Sequence, residues 1–417
     1  MHRSSNIAIV GYGTAGQAAA ILLSRDGHRV EVFEQAAEPG PVGAGFLLQP
    51  VGLHVLWELG LLDQALAHGA RIERLFGDNA CGRAVMDMRY AGLDPRLFGL
   101  GMQRGALFEM LAQAWPGVES VQRGQRIVSA DDDGRRIRDA QGRESGPFDM
   151  VIAADGSASC LRAAVGRARL DRPYPWGALW CLLPQGDWEF PNELRQRYVA
   201  ARKMIGMLPV GTRPGDPLPR TSFFWSVRTD GFEAWQQSGI EPWLDEIRNL
   251  WPQAHARMKT VTSAAQLRRA TYRDAVLDGW SRGRLVLLGD AAHAMSPQLG
   301  QGVNMALMDA LALRDALRAE TAIEAAIARY QRQRRSHVHI YQFWSRWLTP
   351  LFQSERNVAA RVRDLTFLPL GRLPGGRGQM LRVLSGLQRG WFGRLCLPQA
   401  FLDRLGRLNA ATGDGPA

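Results

Sequence analysis

The chain has 417 residues, 46% of them apolar and 22% charged, the proportions of an ordinary soluble globular protein with room for two or three domains. The net charge of +11 would suit nucleic acid or an anionic membrane. Yet the basic residues other than Lys203 and Lys259 are all arginine and are spread along the chain, with no nucleic-acid-binding motif among them. Nucleic acid is therefore not an expected partner. Cys81, Cys160, Cys181 and Cys396 lie far apart without metal-ligand or redox spacing, which predicts free thiols, a reducing compartment and no metal. The N-terminus enters a strand-like "NIAIVGYG" too soon for a signal peptide. No apolar run approaches the roughly 18 residues of a membrane span, so the expected location is the cytoplasm.

In chain order, "NIAIV" reads as a short buried strand, "AAAILLSRDG" as a helix stopped by Gly27, and "HRVEVFEQ" as a second strand. This β-α-β unit favours a parallel sheet covered by helices. "GFLLQPVGLHVLWELGLLDQAL" predicts a strand or loop and then one amphipathic helix. "DDDGRRIRDAQGRESG" carries turn signals at Asp133-Gly134 and Gln141-Gly142, as in an antiparallel meander. "FDMVIAADG" is a buried strand ending at glycine. Residues 173–270, rich in tryptophan, proline and runs such as "TSFFWSVR", predict a mostly antiparallel sheet inserted between the nucleotide-binding parts. "RLVLLGD" resumes the parallel pattern, "NMALMDALALRDALRA" is a long amphipathic helix, and the chain is helical from about Ile323.

The expected fold class is thus α/β: a Rossmann-like dinucleotide domain (1–75, 101–172 and 271–335), an inserted mostly antiparallel β-sheet substrate domain (76–100 and 173–270), and a C-terminal helical region (336–417).

Three segments carry chemistry. In "GYGTAG", Gly11 permits a tight turn, Gly13 lets the backbone approach a diphosphate, and Gly16 allows close helix–strand packing. A diphosphate there faces free N–H groups at a helix N-terminus. Glu34, at the end of the second strand, is placed to accept hydrogen bonds from a ribose. The second segment is "DMVIAADGSASCLR", from Asp149 to Arg162. The third is "GDAAHAMSPQLGQGVNMA", residues 289–306, extended by "MDA" at Met308–Ala310.

In that order the three segments resemble the pattern of the single-component flavin monooxygenases built like para-hydroxybenzoate hydroxylase, over about residues 5–335. The resemblance implies FAD, with NADPH or NADH as a transient reductant and O₂ as co-substrate. It implies hydroxylation of an electron-rich aromatic or other hydrophobic small molecule through a flavin C4a-hydroperoxide. Carried over by position, Gly11, Gly13, Gly16 and Glu34 resemble the ADP-binding set, and Arg104 and Asp290 the residues at the ribityl chain. Asp155 and Gly156 resemble the pair that bears on both FAD and the nicotinamide cofactor. Pro297, Gly300, Gly302, Val303 and Asn304 would border the flavin ring and the diphosphate end. Within Pro41–Pro50 the glycines suggest close approach of backbone to cofactor, which puts Gln49 near the flavin. Gln49, Pro297 and His293 are the candidate catalytic residues, with His293 more naturally a packing residue than a base. The absence of a second GxGxxG agrees with transient nicotinamide binding.

The substrate-pocket candidates are Trp180, Phe223, Phe224, Trp225 and Arg228. Strand alternation puts Phe223 and Trp225 on one face and Phe224 on the other. The tail from Ile340 carries eleven arginines against four acids, interleaved with tryptophan and phenylalanine. It is expected to pack over the catalytic domain with its arginines solvated, the other option being peripheral contact with an anionic membrane. The rival functions are a flavin halogenase, an epoxidase or reductase acting on an isoprenoid or carrier-bound substrate, and a non-catalytic FAD-binding protein that holds a partner. "WGALWCLLP" at 176–184 is only a loose echo of the halogenase Trp-x-Trp-x-Ile-Pro motif.

Overall fold

A computed structural model describes residues 4–40, 43–373 and 375–411. Its central sheet has six strands in the order Ser281–Arg282, Leu285–Leu287, Met150–Ala153, Asn6–Val10, Arg29–Glu34, Gln122–Arg123. All but the first run parallel. Asn6–Val10 and Met150–Ala153 are almost entirely buried and apolar, as a parallel sheet covered on both faces requires. The helix Thr14–Arg25 follows the first strand. Its run of Ala15, Ala18, Ala19 and Ala20 favours helix and lets it pack closely against the helix Gly302–Ala319.

Register decides where the chemistry lies. Val10 is paired with both Phe33 and Ala153, and the Leu288 N–H donates to Ala153 O at 2.9 Å. The carboxyl ends of four parallel strands are therefore level, and the next residues of each (Gly11, Glu34, Asp155 and Gly289–Asp290) sit along one edge. Ligands of open parallel sheets bind at this edge.

The second large sheet has seven strands, in the order Arg268–Ala270, Trp176–Pro184, Asp216–Arg228, Lys203–Arg213, Glu193–Val199, Arg74–Asn79, Ala84–Arg89. Every pairing is antiparallel except Glu193–Val199 with Arg74–Asn79. A three-stranded sheet of Gly45–Leu48, Gly99–Gln103 and Ala70–Ile72 connects the two. The meander at 127–145 forms as three short antiparallel strands, with Gly134 and Gly142 at positive φ. Side chains fix its turns: Asp139 Oδ1 accepts the N–H groups of Gln141 and Arg143, both at 2.9 Å.

Three expectations need correction. The amphipathic segment after Gln49 is two helices, Pro50–Glu58 and Leu62–His68, separated at Gly60, whose φ of +68° breaks the helix. The first strand of the substrate-side sheet begins at Arg74 rather than 76. The boundary at 335/336 falls inside the single 30-residue helix Ile323–Phe352, which packs on Gly302–Ala319 at one end and enters the C-terminal layer at the other. That layer continues as the helices Asn357–Arg372, Gly376–Leu384 and Gln399–Ala411. No helix among the described residues is long and apolar enough to cross a membrane, and the four cysteines are free.

Candidate functional site

The three fingerprint glycines meet three different surroundings. Gly11 has φ of +103°, and a Cβ there would lie 2.4 Å from Ala154 O. A Cβ on Gly16 would lie 2.0 Å from Gly11 O, so these two positions need glycine for packing. A Cβ on Gly13 meets nothing within 4 Å. Gly13 also caps the helix Thr14–Arg25 without any side-chain hydrogen bond to the helix N–H groups. This is an open cradle over a helix N-terminus, as a diphosphate needs. At the next strand end, Glu34 Oε2 accepts the Tyr12 N–H and Oε1 the Ala36 N–H, both at 2.8 Å. Its carboxylate is fixed in place with lone pairs to spare.

Asp155 stands at the third strand end. Oδ2 accepts the Cys160 N–H at 2.9 Å, while Oδ1 is buried without a partner, and burial raises its carboxyl above the usual carboxylate range. Gly156 follows at φ of +80°. Asp290 begins the short helix at the fourth strand end. Its carboxylate is exposed to the cavity. Gly289 at φ of +59° makes the turn, and a Cβ there would press on Ala15 and Ala306.

Of these residues, Asp290 lines a cavity of about 360 Å³. One end is lined by Phe46, Gln49, Arg104, Asp290, Pro297 and Gly300–Val303. Arg104 has no ion-pair partner among the described residues, and burial lowers its guanidinium below its ordinary pKa. Gly300 is left-handed at φ of +61° and leads into the 18-residue helix Gly302–Ala319, so that helix's N-terminus opens on the cavity.

Several candidates stand elsewhere or act indirectly. His293 is buried and does not line the cavity. Its Nε2 lies 2.6 Å from Asp309 Oδ2, and Asp309 is paired through Oδ1 with Arg334 at 2.7 Å. Burial alone would raise the Asp309 carboxyl, but His293 and Arg334 hold it well below the carboxylate range. Asn304 spends its side chain on protein: Oδ1 accepts the Gln49 N–H at 2.8 Å and Nδ2 donates to Leu47 O and Gly300 O, both at 3.2 Å. Gln49 lines the cavity, yet its Oε1 accepts the Tyr90 hydroxyl at 2.7 Å.

Of the pocket candidates, Trp180 and Phe224 line the cavity, with ring centroids 5.1 Å apart. Phe223 and Trp225 point to the other face and pack on Trp243. Arg228 lies outside, paired with Asp230 and Glu355.

Sequence reasoning missed three contributors. Arg162 donates to Asp290 O at 2.8 Å, Ala291 O at 2.9 Å and Ser157 O at 2.9 Å, tying the Asp155 loop to the Asp290 helix. Asp309, within the quoted "MDA", accepts the Gly289 N–H at 2.8 Å and so holds the turn before Asp290. Tyr272 lines the cavity near Arg104, its hydroxyl pushed up to about 12 by burial. The far wall, moreover, comes from the tail: Trp344, Trp347, Leu348, Phe352, Phe367 and Val383 all line the cavity.

A family model described as an FAD binding domain matches residues 4–341. An FAD-dependent urate hydroxylase of Klebsiella oxytoca is 30% identical over 338 residues, covering 78% of this chain and 85% of the relative. The chain belongs to the FAD-dependent hydroxylase and monooxygenase family. Aurachin C monooxygenase/isomerase of Stigmatella aurantiaca is 26% identical over 373 residues, covering 87% of this chain and 94% of that one. The fold is also that of the Klebsiella pneumoniae HpxO protein complexed with FAD and uric acid. There the TM-score is 0.76 at 23% identity, with 93% of this chain and 98% of that chain covered.

Bound FAD would be held by groups left open along the strand-end edge: the Gly13 cradle, the unpartnered Asp155 oxygen, and the Arg104 and Asp290 side chains, neither of which has an ion-pair partner among the described residues. The residues present fit the cofactor.

Proposed function

We propose that this FAD-dependent monooxygenase hydroxylates a small aromatic molecule held between the seven-stranded sheet and the C-terminal helices. One observation carries the reading: Asp290, at one end of the strand-end edge, lines a largely apolar cavity together with Arg104, Trp180, Phe224, Trp344 and Phe352. FAD, when bound, supplies electron transfer from NAD(P)H and the activation of O₂. The protein binds, orients and excludes water.

In this reading Gly11, Gly13 and Gly16 shape the diphosphate site, Glu34 takes the ribose, and Arg104, Asp155 and Asp290 take the polar chain and ring edge. Pro297, Gly300, Gly302 and Val303 border the ring, where the N-terminus of Gly302–Ala319 favours negative charge on the reduced cofactor. Asn304 positions this segment by fastening it to Gln49. The rings and aliphatic side chains of the wall keep water from the reacting oxygen. Urate hydroxylase and aurachin C monooxygenase, both acting on aromatic heterocycles, support the substrate class.

The test is NAD(P)H oxidation by the FAD-loaded chain under ¹⁸O₂ with a panel of aromatic heterocycles. Substrate-stimulated oxidation with one labelled oxygen in the product is expected. FAD binding without NAD(P)H oxidation by any panel member would instead favour a non-catalytic flavoprotein.

A specific observation supports a second reading, peripheral contact with an anionic membrane. The helix Asn357–Arg372 buries Ala360 and Arg363 but exposes Val358 (72%), Val362 and Leu365 (57%) along one face. Arg361 is exposed in the same stripe with no ion pair among the described residues. An exposed apolar line with free positive charge fits an anionic bilayer surface.

A further inference from the structure

The cavity wall has a charge pattern that narrows the substrate beyond "small aromatic molecule". This inference rests on the FAD monooxygenase reading. Among the described lining residues only Arg104 and Asp290 are charged, and both belong to the end assigned to FAD. The remaining wall is aromatic and aliphatic, relieved by uncharged amides and hydroxyls such as Gln196, Gln353 and Ser226. An ionised carboxylate entering this space would give up its hydration with no cation to meet it, which is strongly unfavourable.

Two features of the same wall add detail. The indole N–H of Trp344 is buried without a hydrogen-bond partner, whereas that of Trp180 has the Tyr272 hydroxyl beside it as a partner. Buried donors are ordinarily satisfied, so an acceptor on the bound molecule is the missing partner. The apolar wall also extends to Trp347, which lines the cavity while remaining 50% exposed. It marks the mouth, and Trp344 stands beside it with ring centroids 5.6 Å apart. A substituent leaving the ring towards this mouth meets mostly apolar side chains of the tail helices, with Gln353 and Gln379 the polar exceptions.

We propose that the substrate is an uncharged aromatic carbonyl compound bearing an apolar substituent. Its ring lies near the flavin, its carbonyl oxygen accepts from a tryptophan N–H, and its substituent runs along the C-terminal helices towards Trp347. The tail is thereby a specificity element, and aromatic carboxylates are excluded for want of a cation.

The experiment uses the full-length, FAD-loaded chain and three probes: 4-quinolone, 2-heptyl-4-quinolone and 4-quinolone-2-carboxylate. Binding is read from perturbation of the flavin absorbance. The heptyl compound is expected to bind at least about ten-fold tighter than the parent, in line with burial of several methylene groups, and the carboxylate to give no perturbation. Trp344→Phe keeps a ring but removes the N–H. It is expected to weaken the parent quinolone roughly five-fold, the scale of one hydrogen bond. Trp347→Ala is expected to shrink the advantage of the heptyl chain. A carboxylate that binds as well as the parent, a heptyl chain that brings no gain, or failure of both quinolones to bind overturns the proposal. FAD content is measured on the same samples. A chain that takes up no FAD fails the monooxygenase reading, whereas an FAD-loaded chain that prefers the carboxylate fails this inference alone.

Discussion

His293 Nε2 lies 2.6 Å from Asp309 Oδ2, and both side chains are closed off from the cavity. The pair, completed by Arg334, anchors the turn at Gly289 through Asp309. His293 therefore acts on the fold. His293→Gln is expected to cost about 1–3 kcal/mol, the scale of disturbing a buried hydrogen bond to a charged group, measured by urea unfolding. Turnover per folded, FAD-loaded molecule should stay close to wild type. Loss of turnover with unchanged unfolding would return His293 to the chemistry.

Gly13 and Gly16 are predicted to separate cofactor binding from folding. A Cβ at Gly13 meets no protein atom within 4 Å, while one at Gly16 meets Gly11 O at 2.0 Å. Gly13→Ala should leave the stability of the FAD-free chain within about 0.5 kcal/mol and weaken FAD binding. Gly16→Ala should destabilise the FAD-free chain by about 1–3 kcal/mol through overpacking. Thermal unfolding with FAD removed distinguishes them. Equal stability losses would contradict the open cradle.

Legibility followed distance along the chain. The glycine fingerprint, Glu34 and the strand–turn signals at Asp155 and Asp290 were readable because each depends on a few neighbouring residues. Alternation in "FFWSVR" correctly separated Phe224 from Phe223 and Trp225, but a period of two cannot say which face meets the cavity. The helices packed on the outer face, with Trp243, decide that. Arg162 is 129 residues from the Ala291 carbonyl it binds, and nothing local distinguishes it from the other arginines. The tail is expected from its sequence to pack over the catalytic domain, but amphipathic periodicity records only that one face is apolar and does not say which aromatic residues reach a cavity. In the fold, Trp344, Leu348 and Phe352 line the cavity and Val358, Val362 and Leu365 face outward.

The pH dependence of stability has a named source in His337. Burial, reinforced by the charge of Arg334, lowers its pKa to about 3. Nδ1 accepts from Arg334 and Nε2 donates to Gly386 O at 2.8 Å, which fits only a neutral ring. An unfolded chain takes up this proton near pH 6.5, so the group's contribution is complete above about pH 6.5. It is lost as pH falls from there towards about 3, at up to about 1.4 kcal/mol per pH unit. His337→Gln should flatten urea-unfolding free energies between about pH 7 and pH 5 relative to wild type. An unchanged slope would contradict this assignment.

Membrane contact is tested by co-sedimentation of the FAD-loaded chain with vesicles of neutral or anionic lipid. Binding to anionic vesicles is expected. Leu365→Glu, placed in the exposed stripe, should reduce it several-fold. Equal recovery with and without anionic vesicles would leave the stripe without this role.

The strand-end edge itself is tested most directly by flavin retention. The purified chain is incubated with excess FAD, passed through gel filtration, and its visible spectrum and released FAD are measured. Equimolar FAD is the predicted result, with Asp290→Ala binding FAD roughly ten- to a hundred-fold more weakly, the scale of hydrogen bonds to a charged group. A colourless chain that takes up no FAD would contradict the site.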